Sequence, residues 1–258
     1  MGKNNKPCIL ITGGTGKLGQ IYVKELSELG YDVVFTSRSE QKIRKLYDEC
    51  SKLGFDNKIL GIPADLVSDQ GVNELCSALN QHNIYPTTLV NNARSIEFLA
   101  LDSKGIPARK SWYGEMLLDV VIPYELSISM AEENRSRLQT IVNVASMYGV
   151  VAANPSLYDD PIKDSPIQYS VAKAALIHLT KELSVRLAKK QIRVNSISYG
   201  GVEGRVDEEF KQRYAKLCPT GEMLQESHIV GAVHYLASNL SVGVTGHNLV
   251  VDGGWSVW

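Results

Sequence analysis

Short runs rich in β-branched residues alternate with segments of helical periodicity along the whole chain, and this alternation constrains the fold most strongly. Strands are predicted at residues 8–12, 32–36, 58–64, 87–91, 139–146, 192–198 and 248–252. Helices are predicted at residues 17–29, 39–53, 69–82, 111–135, 168–190 and 225–238. Strands this apolar, separated by helices, predict a parallel sheet of seven strands with helices on both faces. We therefore expect one doubly wound α/β domain over residues 1–258.

A glycine-rich turn joins the first predicted strand to the first predicted helix. It contains Gly14-x-Gly16-x-x-Gly19 and is preceded by Gly13. Glycines at this junction allow a tight turn and a close approach of the backbone to a pyrophosphate, which the positive end of the helix dipole also attracts. Glycine turns occur for structural reasons as well, so the position between strand and helix gives the motif its meaning. In that position it predicts dinucleotide binding.

The residues after the second predicted strand bear on which dinucleotide binds. A carboxylate there would hold the ribose 2′-hydroxyl of NAD, whereas this chain has Ser37 and Arg38. A hydroxyl and a guanidinium favour a 2′-phosphate, so NADP(H) is the preferred cofactor and NAD(H) the alternative. Arg38 as an ordinary surface cation is the competing interpretation. Asp65, after the third strand, is expected either to accept from the adenine amino group or to cap the helix near residue 69.

Tyr169 and Lys173 lie four positions apart in the predicted helix 168–190 and therefore on one helical face. A free tyrosine has a pKa of about 10, too high for easy proton exchange near neutrality. A nearby ammonium group favours the phenolate and makes the phenol a usable general acid or base. Alone, the pair fits better as two surface residues of an amphipathic helix. The rest of the chain decides between the two interpretations.

Composition and charge exclude several classes of function. The formal net charge is −1, so no long-range field attracts nucleic acid or an anionic membrane. No apolar run reaches the roughly 18 residues that a membrane span needs. The four cysteines include no C-x-x-C pair and the five histidines show no metal-ligand spacing, so we expect neither a metal site nor a disulfide framework. We expect a cytoplasmic protein that acts on a small molecule.

Six motifs, in chain order, resemble those of the short-chain dehydrogenases/reductases, single-domain enzymes with a Rossmann-like fold. They are "TGGTGKLG", "ADL", "NNA", "IVNVAS", "YSVAK" and "VTGHNLVVDGG". The resemblance implies that Tyr169 donates or accepts the proton, that Ser146 binds the substrate oxygen, and that Lys173 holds the nicotinamide ribose. It implies a set of cofactor-binding residues: Gly13, Thr15, Gly16, Lys17, Leu18, Ser37, Arg38, Asp65, Leu66, Asn91, Ala93, Tyr169, Lys173 and Val202.

Several positions depart from the family's usual pattern. Asp119 stands where the family has an asparagine of its proton relay, and it completes the expected catalytic set with Ser146, Tyr169 and Lys173. Glycine is usual where this chain has Lys17 and Arg94, and proline is usual where it has Tyr199. Gly204 replaces a threonine that often contacts the cofactor. A polar loop, "NPSLYDDPIKDSP" at 154–166, lengthens the interval between the expected serine and tyrosine.

These residues predict an NADP(H)-dependent oxidoreductase that interconverts a ketone and a secondary alcohol, with Tyr169 as general acid and base. The polar loop favours a small polar substrate, and a resemblance to members of flagellin-modification and nonulosonic-acid sugar pathways points to a sugar derivative. The alternatives are a ketoreductase resembling 3-oxoacyl-carrier-protein reductase and a catalytically silent NADP(H)-binding sensor. Apolar stripes on helices 111–135 and 168–190, with Trp255 and Trp258 near the C-terminus, predict a homodimer or homotetramer.

Overall fold

A computed structural model describes residues 6–204 and 206–258, and its centre is a parallel sheet of seven strands. The strands are β1 (Cys8–Ile11), β2 (Asp32–Ser37), β3 (Ile59–Pro63), β4 (Thr88–Asn91), β5 (Thr140–Ser146), β6 (Arg193–Tyr199) and β7 (Asn248–Val251). All seven predicted strands are present, with ends that differ by at most one residue. The predicted doubly wound, Rossmann-like architecture is thus confirmed.

The strand order β3-β2-β1-β4-β5-β6-β7 places the reversal of winding between β1 and β4. Parallel pairing sets Ile9 opposite Val33 on one side and opposite Thr88 on the other. In open parallel sheets the loops diverge at such a switch point and leave a crevice beyond the carboxyl ends of the strands. The topology therefore locates a ligand cleft above β1 and β4.

Nine helices accompany the strands in the described part of the chain. They are α1 (Lys17–Glu28), α2 (Glu40–Ser51), α3 (Gly71–Gln81), α4 (Arg109–Met116), α5 (Ile122–Glu132), α6 (Pro161–Asp164), α7 (Ile167–Arg186), α8 (Glu208–Leu217) and α9 (Val230–Ala237). Side chains alternate across β1, so Ile9 and Ile11 join the core beneath α1, α2 and α9, whereas Leu10 joins the core beneath α3, α5 and α7. None of the described helices is both long and apolar enough to span a membrane.

The helix predicted at 111–135 is present as one continuous helical segment from Arg109 to Glu132, and it contains a π turn that the sequence did not predict. The structure has α4, then one π-helical turn at Leu117–Val121, then α5. Pro123, which has no N–H to donate, lies in the first turn of α5, directly after the π turn. Wider π turns of this kind are frequent at functional sites. This one contains Asp119.

The sequence pattern did not predict helix α8, although its start carries a recognisable signal. The Asp207 carboxylate accepts a hydrogen bond of 2.8 Å from the Phe210 amide, and Glu208 and Glu209 follow in the first turn. Such N-caps and first-turn acids stabilise a helix start. The predicted helix 225–238 is shorter than expected, since a 3₁₀ turn at Glu226–His228 precedes α9.

The C-terminal tryptophans differ from each other, which corrects the expectation that both need a partner surface. Trp255 is 4% exposed and stacks on Tyr214 of α8 with ring centroids 4.4 Å apart. These rings share a small third core with Leu157 of the polar loop, which is fully buried. Trp258 remains 77% exposed. The chain therefore covers Trp255 itself, and of the two tryptophans only Trp258 is left exposed.

Candidate active site

The glycine-rich turn has the geometry that its sequence predicts. Gly13 adopts φ +66°, a conformation that favours glycine. A Cβ atom at Gly19 would collide with the carbonyl of Gly13 and the backbone of Gly14. The Asn92 side chain, from the loop after β4, donates 2.9 Å and 3.3 Å hydrogen bonds to the carbonyls of Thr12 and Gly13. The turn is therefore held against the sheet with the start of α1 open to a ligand.

A cleft of about 500 Å³ runs from this turn to Tyr169. Most of the predicted cofactor-binding residues line it: Gly13, Thr15, Gly16, Lys17, Leu18, Ser37, Arg38, Asp65, Leu66, Ala93, Tyr169 and Lys173. Sequence reasoning missed other lining residues, among them Lys42, Asn92 and Arg94. A cleft of this volume, lined by a glycine turn at the start of a helix, fits a dinucleotide.

Two of the predicted cofactor-binding residues do not line the cleft. The Asn91 side chain points into the interior, where its amide donates a 2.8 Å hydrogen bond to Asn143, which in turn donates to Thr180. Its neighbour Asn92 reaches the cleft instead. Val202 pairs with Leu224 in a short β-bridge, and its carbonyl accepts from Lys17 at 2.8 Å. Both residues support the walls of the cleft from outside.

The end of the cleft beyond β2 is positively charged. Ser37 forms a 2.6 Å hydrogen bond with Thr15, which ties the strand end to the glycine turn. Arg38, just after β2, and Lys42, in the first turn of α2, are exposed and line the same end. In the described part of the chain, no carboxylate forms an ion pair with either cation. Two cations without an acidic partner form a suitable site for a phosphate group.

Asp65 lines the cleft and does not cap α3, so the capping interpretation is wrong. Its carboxylate accepts a 3.3 Å hydrogen bond from the Val67 amide, within its own turn. Helix α3 begins at Gly71, and its N-cap is Gln70. The Asp65 carboxylate is therefore held at the cleft, where an amino group could donate to it.

At the other end of the cleft, Lys173 and Asp119 form a buried ion pair. The Lys173 ammonium donates to the Asp119 carboxylate at 2.7 Å and to the Val144 carbonyl at 2.9 Å. Lys173 is 5% exposed and Asp119 is 3% exposed. The Lys173 nitrogen also lies 5.7 Å from the ring centroid of Tyr169. The structure thus brings three of the four expected catalytic residues together, and the π turn directs Asp119 inward.

Ser146, the fourth, ends β5 and is 6% exposed. Its hydroxyl oxygen accepts a 3.2 Å hydrogen bond from the Tyr148 amide. Val144 and Ala145 line the cleft, whereas Ser146 is not part of its lining. The Tyr148 hydroxyl is hydrogen-bonded to that of Tyr158 in the polar loop. Burial, followed by the proximity of Tyr158, raises the pKa of Tyr148, so this phenol stays protonated.

Two charged residues near the Lys173–Asp119 ion pair and Tyr169 were not predicted as site residues. The Arg94 guanidinium lies over the Tyr169 ring, 4.5 Å from its centroid. Glu115 is 2% exposed, and one of its carboxylate oxygens has no hydrogen-bond partner among the described residues. Burial and then the Asp119 carboxylate raise the pKa of Glu115 to about 7, while Arg94 and Lys173 act in the opposite direction. Glu115 precedes Asp119 by four positions, a spacing that could have revealed it.

The structure also accounts for two departures from the family pattern. The Lys17 ammonium, in the first turn of α1, donates to the carbonyls of Val202 and Glu203 and so joins the glycine turn to the segment after β6. Gly204 adopts φ +125°, which a threonine would rarely take. The segment after β6 is thus attached to the cleft through Lys17.

A family model described as enoyl-(acyl carrier protein) reductase matches residues 17–256. Post-translational flagellin modification protein A of Campylobacter coli is 25% identical over 254 residues, covering 96% of this chain and 98% of that protein. The 3-oxoacyl-[acyl-carrier-protein] reductase FabG of Aquifex aeolicus is 26% identical over 259 residues, covering 95% of each chain.

Among solved structures, a short-chain dehydrogenase from Leptospira borgpetersenii with bound NAD⁺ superposes with a TM-score of 0.81. It is 28% identical, and the match covers 97% of this chain and 93% of that one. The chain belongs to the short-chain dehydrogenase/reductase family. It is a dehydrogenase/reductase that uses a nicotinamide dinucleotide, as the glycine turn and the cleft indicate.

Proposed function

We propose that this protein is an NADP(H)-dependent reductase and dehydrogenase that interconverts a ketone and a secondary alcohol on a small polar substrate. The observation that carries the proposal is the placement of the tyrosine and lysine pair, Tyr169 and Lys173, at one end of the cleft that begins at the glycine turn. Phosphate-binding groups and a proton-transfer group thus share one cavity. Family membership favours an enzyme over the silent sensor considered from the sequence.

The nicotinamide, when bound, supplies a hydride to the substrate carbonyl carbon or takes one from the alcohol carbon. In the reducing direction Tyr169 gives its hydroxyl proton to the carbonyl oxygen, and in the oxidising direction its phenolate takes that proton back. Ser146 has a hydroxyl hydrogen with no acceptor among the described residues, so it is able to donate to the substrate oxygen. Lys173 sits beneath the tyrosine ring, held by Asp119.

The preference for NADP(H) rests on the positive end of the cleft. Arg38 and Lys42 are exposed there without an acidic partner in the described chain, as a 2′-phosphate requires. At the end of β2, where a carboxylate would hold the 2′-hydroxyl of NAD, this chain has Ser37, which is hydrogen-bonded to Thr15. NAD(H) remains the alternative, because the Leptospira relative was solved with NAD⁺.

The loop at 154–166, between Ser146 and Tyr169, favours a polar substrate. A sugar derivative is the leading candidate. Tyr158 of this loop is hydrogen-bonded to Tyr148, which follows Ser146 closely, and Arg213 donates to the Leu157 carbonyl at 2.9 Å. The loop is therefore a fixed part of the molecule near the site. The flagellin modification relative favours this substrate class, and the FabG relative favours the acyl-carrier alternative.

We also propose a homodimer or homotetramer in the cytoplasm. Exposed apolar side chains lie on both helices that we expect to pack against a second copy. They are Val121 and Tyr124 in the segment 111–135, and Val171 and Val185 in α7. The four cysteines are free, which suits a reducing compartment. Light scattering at micromolar concentration tests the assembly, and a monomer would contradict it.

The function is tested by screening the purified protein against ketones of three kinds: ketoses and keto-sugar derivatives, apolar ketones, and 3-oxoacyl thioesters. Absorbance of the reduced nicotinamide, with NADPH and NADH in parallel, measures turnover. We expect turnover of sugar-type ketones with NADPH as the better cofactor. Preferred turnover of the thioesters would support the acyl-carrier alternative, and no turnover of any ketone would contradict the proposal.

A further inference from the structure

The Lys173 ammonium is paired with a carboxylate, and this pairing weakens its effect on the Tyr169 phenol. A cation near a phenol favours its ionised form because it attracts the phenolate. The Lys173 ammonium, however, is 2.7 Å from the Asp119 carboxylate, and both groups are buried. The field of the carboxylate opposes that of the ammonium at the nearby phenol. Lys173 alone is thus a weakened source of positive potential for Tyr169.

Arg94 is the second cation at this ring, and its position differs from that of Lys173. Its guanidinium carbon is 4.5 Å from the Tyr169 ring centroid, closer than the 5.7 Å of the Lys173 nitrogen. In the described ranges, no carboxylate lies within the 4.0 Å that defines an ion pair with Arg94. Among the described residues, no side chain forms a hydrogen bond with the Arg94 guanidinium either. Its charge therefore acts on the face of the ring without an ion-paired carboxylate, and the Glu115 carboxylate interacts with it only at longer range.

We propose that Arg94 supplies the positive potential that stabilises the Tyr169 phenolate, and that it offsets the carboxylate placed next to Lys173. Arg94 is a positioning residue, because it affects the reaction only through the Tyr169 phenol. The proposal rests on the proposed function, in which Tyr169 exchanges a proton with the substrate. It assigns a role to a side chain that stands where the family usually has glycine.

The other ionisable groups around Tyr169 and its two cations fit the same account. Asp119 from the π turn and Glu115 from α4 oppose the phenolate when they are charged. Tyr148 and Tyr158, from the segments after β5, approach the Tyr169 ring, and burial keeps both phenols protonated. Among the described residues, Lys173 and Arg94 are the cations that lie over the Tyr169 ring. In this proposal, two cations and two carboxylates together set the electrostatic potential around the Tyr169 phenol.

The proposal is tested by following the phenol itself, without a cofactor or a substrate. The protein is labelled with tyrosine carrying ¹³C at the Cζ atom, and the Tyr169 resonance among the 12 tyrosines is identified by its loss in Tyr169→Phe. The titration midpoint is then compared between the wild type and Arg94→Gln. Loss of a cation makes the phenolate less stable, so the midpoint moves to higher pH, by about 0.5 to 1.5 units.

Three control variants separate the charge from the fold. Arg94→Lys keeps the charge and is expected to restore most of the wild-type midpoint, and Arg109→Gln, at the exposed start of α4, is expected to leave it unchanged. Asp119→Asn removes a negative charge, so its midpoint moves to lower pH, and the Arg94→Gln/Asp119→Asn double variant returns toward the wild type. The same midpoint in Arg94→Gln and the wild type, with the other tyrosine resonances unmoved, would overturn the proposal.

This experiment distinguishes a failure of the proposal from a failure of the proposed function. The titration of Tyr169 requires no turnover, so an Arg94 effect can be measured even if no substrate is found. Conversely, if Tyr169→Phe abolishes turnover while Arg94→Gln leaves the titration midpoint unchanged, Tyr169 remains the proton donor and only the role of Arg94 is refuted. For the reducing direction, the alkaline limb of the pH–rate profile should move with the same sign in each variant.

Discussion

The two ends of the cleft carry similar charged side chains but surround them with different environments. At the β2 end, Arg38 and Lys42 are exposed and have no carboxylate partner in the described chain. At the Tyr169 end, Lys173, Asp119 and Glu115 are all more than nine-tenths buried and interact with one another. The first arrangement can accept an anion from solution, whereas the second fixes opposing charges around Tyr169, the proposed proton donor. Under the proposed function, the first end supplies binding energy and the second end supplies the proton chemistry.

Among the variants that test this comparison, Lys173→Met is expected to have the largest effect, a loss in the free energy of unfolding. The variant leaves the Asp119 carboxylate buried without its cation, which typically costs about 3–5 kcal/mol of the free energy of unfolding. Arg38→Met, at the exposed end, is expected to change that free energy by less than about 0.5 kcal/mol. Urea unfolding followed by circular dichroism measures both.

A matched variant checks the cause of that loss. Lys173→Met/Asp119→Leu removes both charges and should recover most of the stability, since a buried pair replaced by apolar residues is often neutral. Equal losses in Lys173→Met and Arg38→Met would show that the two ends do not differ in the way described here.

The next effect concerns cofactor choice. Arg38→Asp removes a charge-assisted contact to a 2′-phosphate and adds a repulsion, so the preference should swing from NADP(H) toward NAD(H) by about 2–4 kcal/mol. Dissociation constants for both cofactors, measured by fluorescence titration, give the swing directly. A wild type that already binds NADH more tightly than NADPH would refute this assignment of Arg38.

A smaller effect is expected from Glu115→Gln, and it depends on pH. The pKa of Glu115 is raised from 4.5 to about 7 in the folded protein, so the folded state binds the proton more tightly than the unfolded state does. The wild type therefore loses stability as pH rises through this interval, by up to about 3 kcal/mol, and the glutamine variant does not. Unfolding free energies of both proteins at pH 5 and pH 8 test this. Parallel changes in the two proteins would exclude the effect.

The sequence could predict the parts of this molecule that depend on local patterns. The alternation of strands and helices, the glycine turn and the one-turn spacing of Tyr169 and Lys173 are all visible in short segments. These patterns predicted a cleft at the carboxyl ends of the strands and supplied half of the residues that line it.

Other features depend on register or on distant contacts, which short segments do not encode. Asn91 and Asn92 are neighbours of the same type, and only the register at the end of β4 decides which side chain reaches the cleft. The π turn that directs Asp119 inward and the approach of Arg94 to Tyr169 arise from the packing of separate segments. The start of α8 was different, because its capping signal at Asp207 was present in the sequence.

The most direct test of the account is the activity of Tyr169→Phe, measured with the ketone that the wild type turns over fastest. The phenol contributes when the carbonyl oxygen takes a proton, so its loss falls on the transition state and leaves cofactor binding almost unchanged. We expect kcat/KM to fall by about 10²–10⁴-fold. The dissociation constant of the cofactor, measured on the same sample, should stay within about twofold of the wild type. Near-normal turnover by this variant would contradict the assignment of Tyr169 as the proton donor and, with it, the function proposed here.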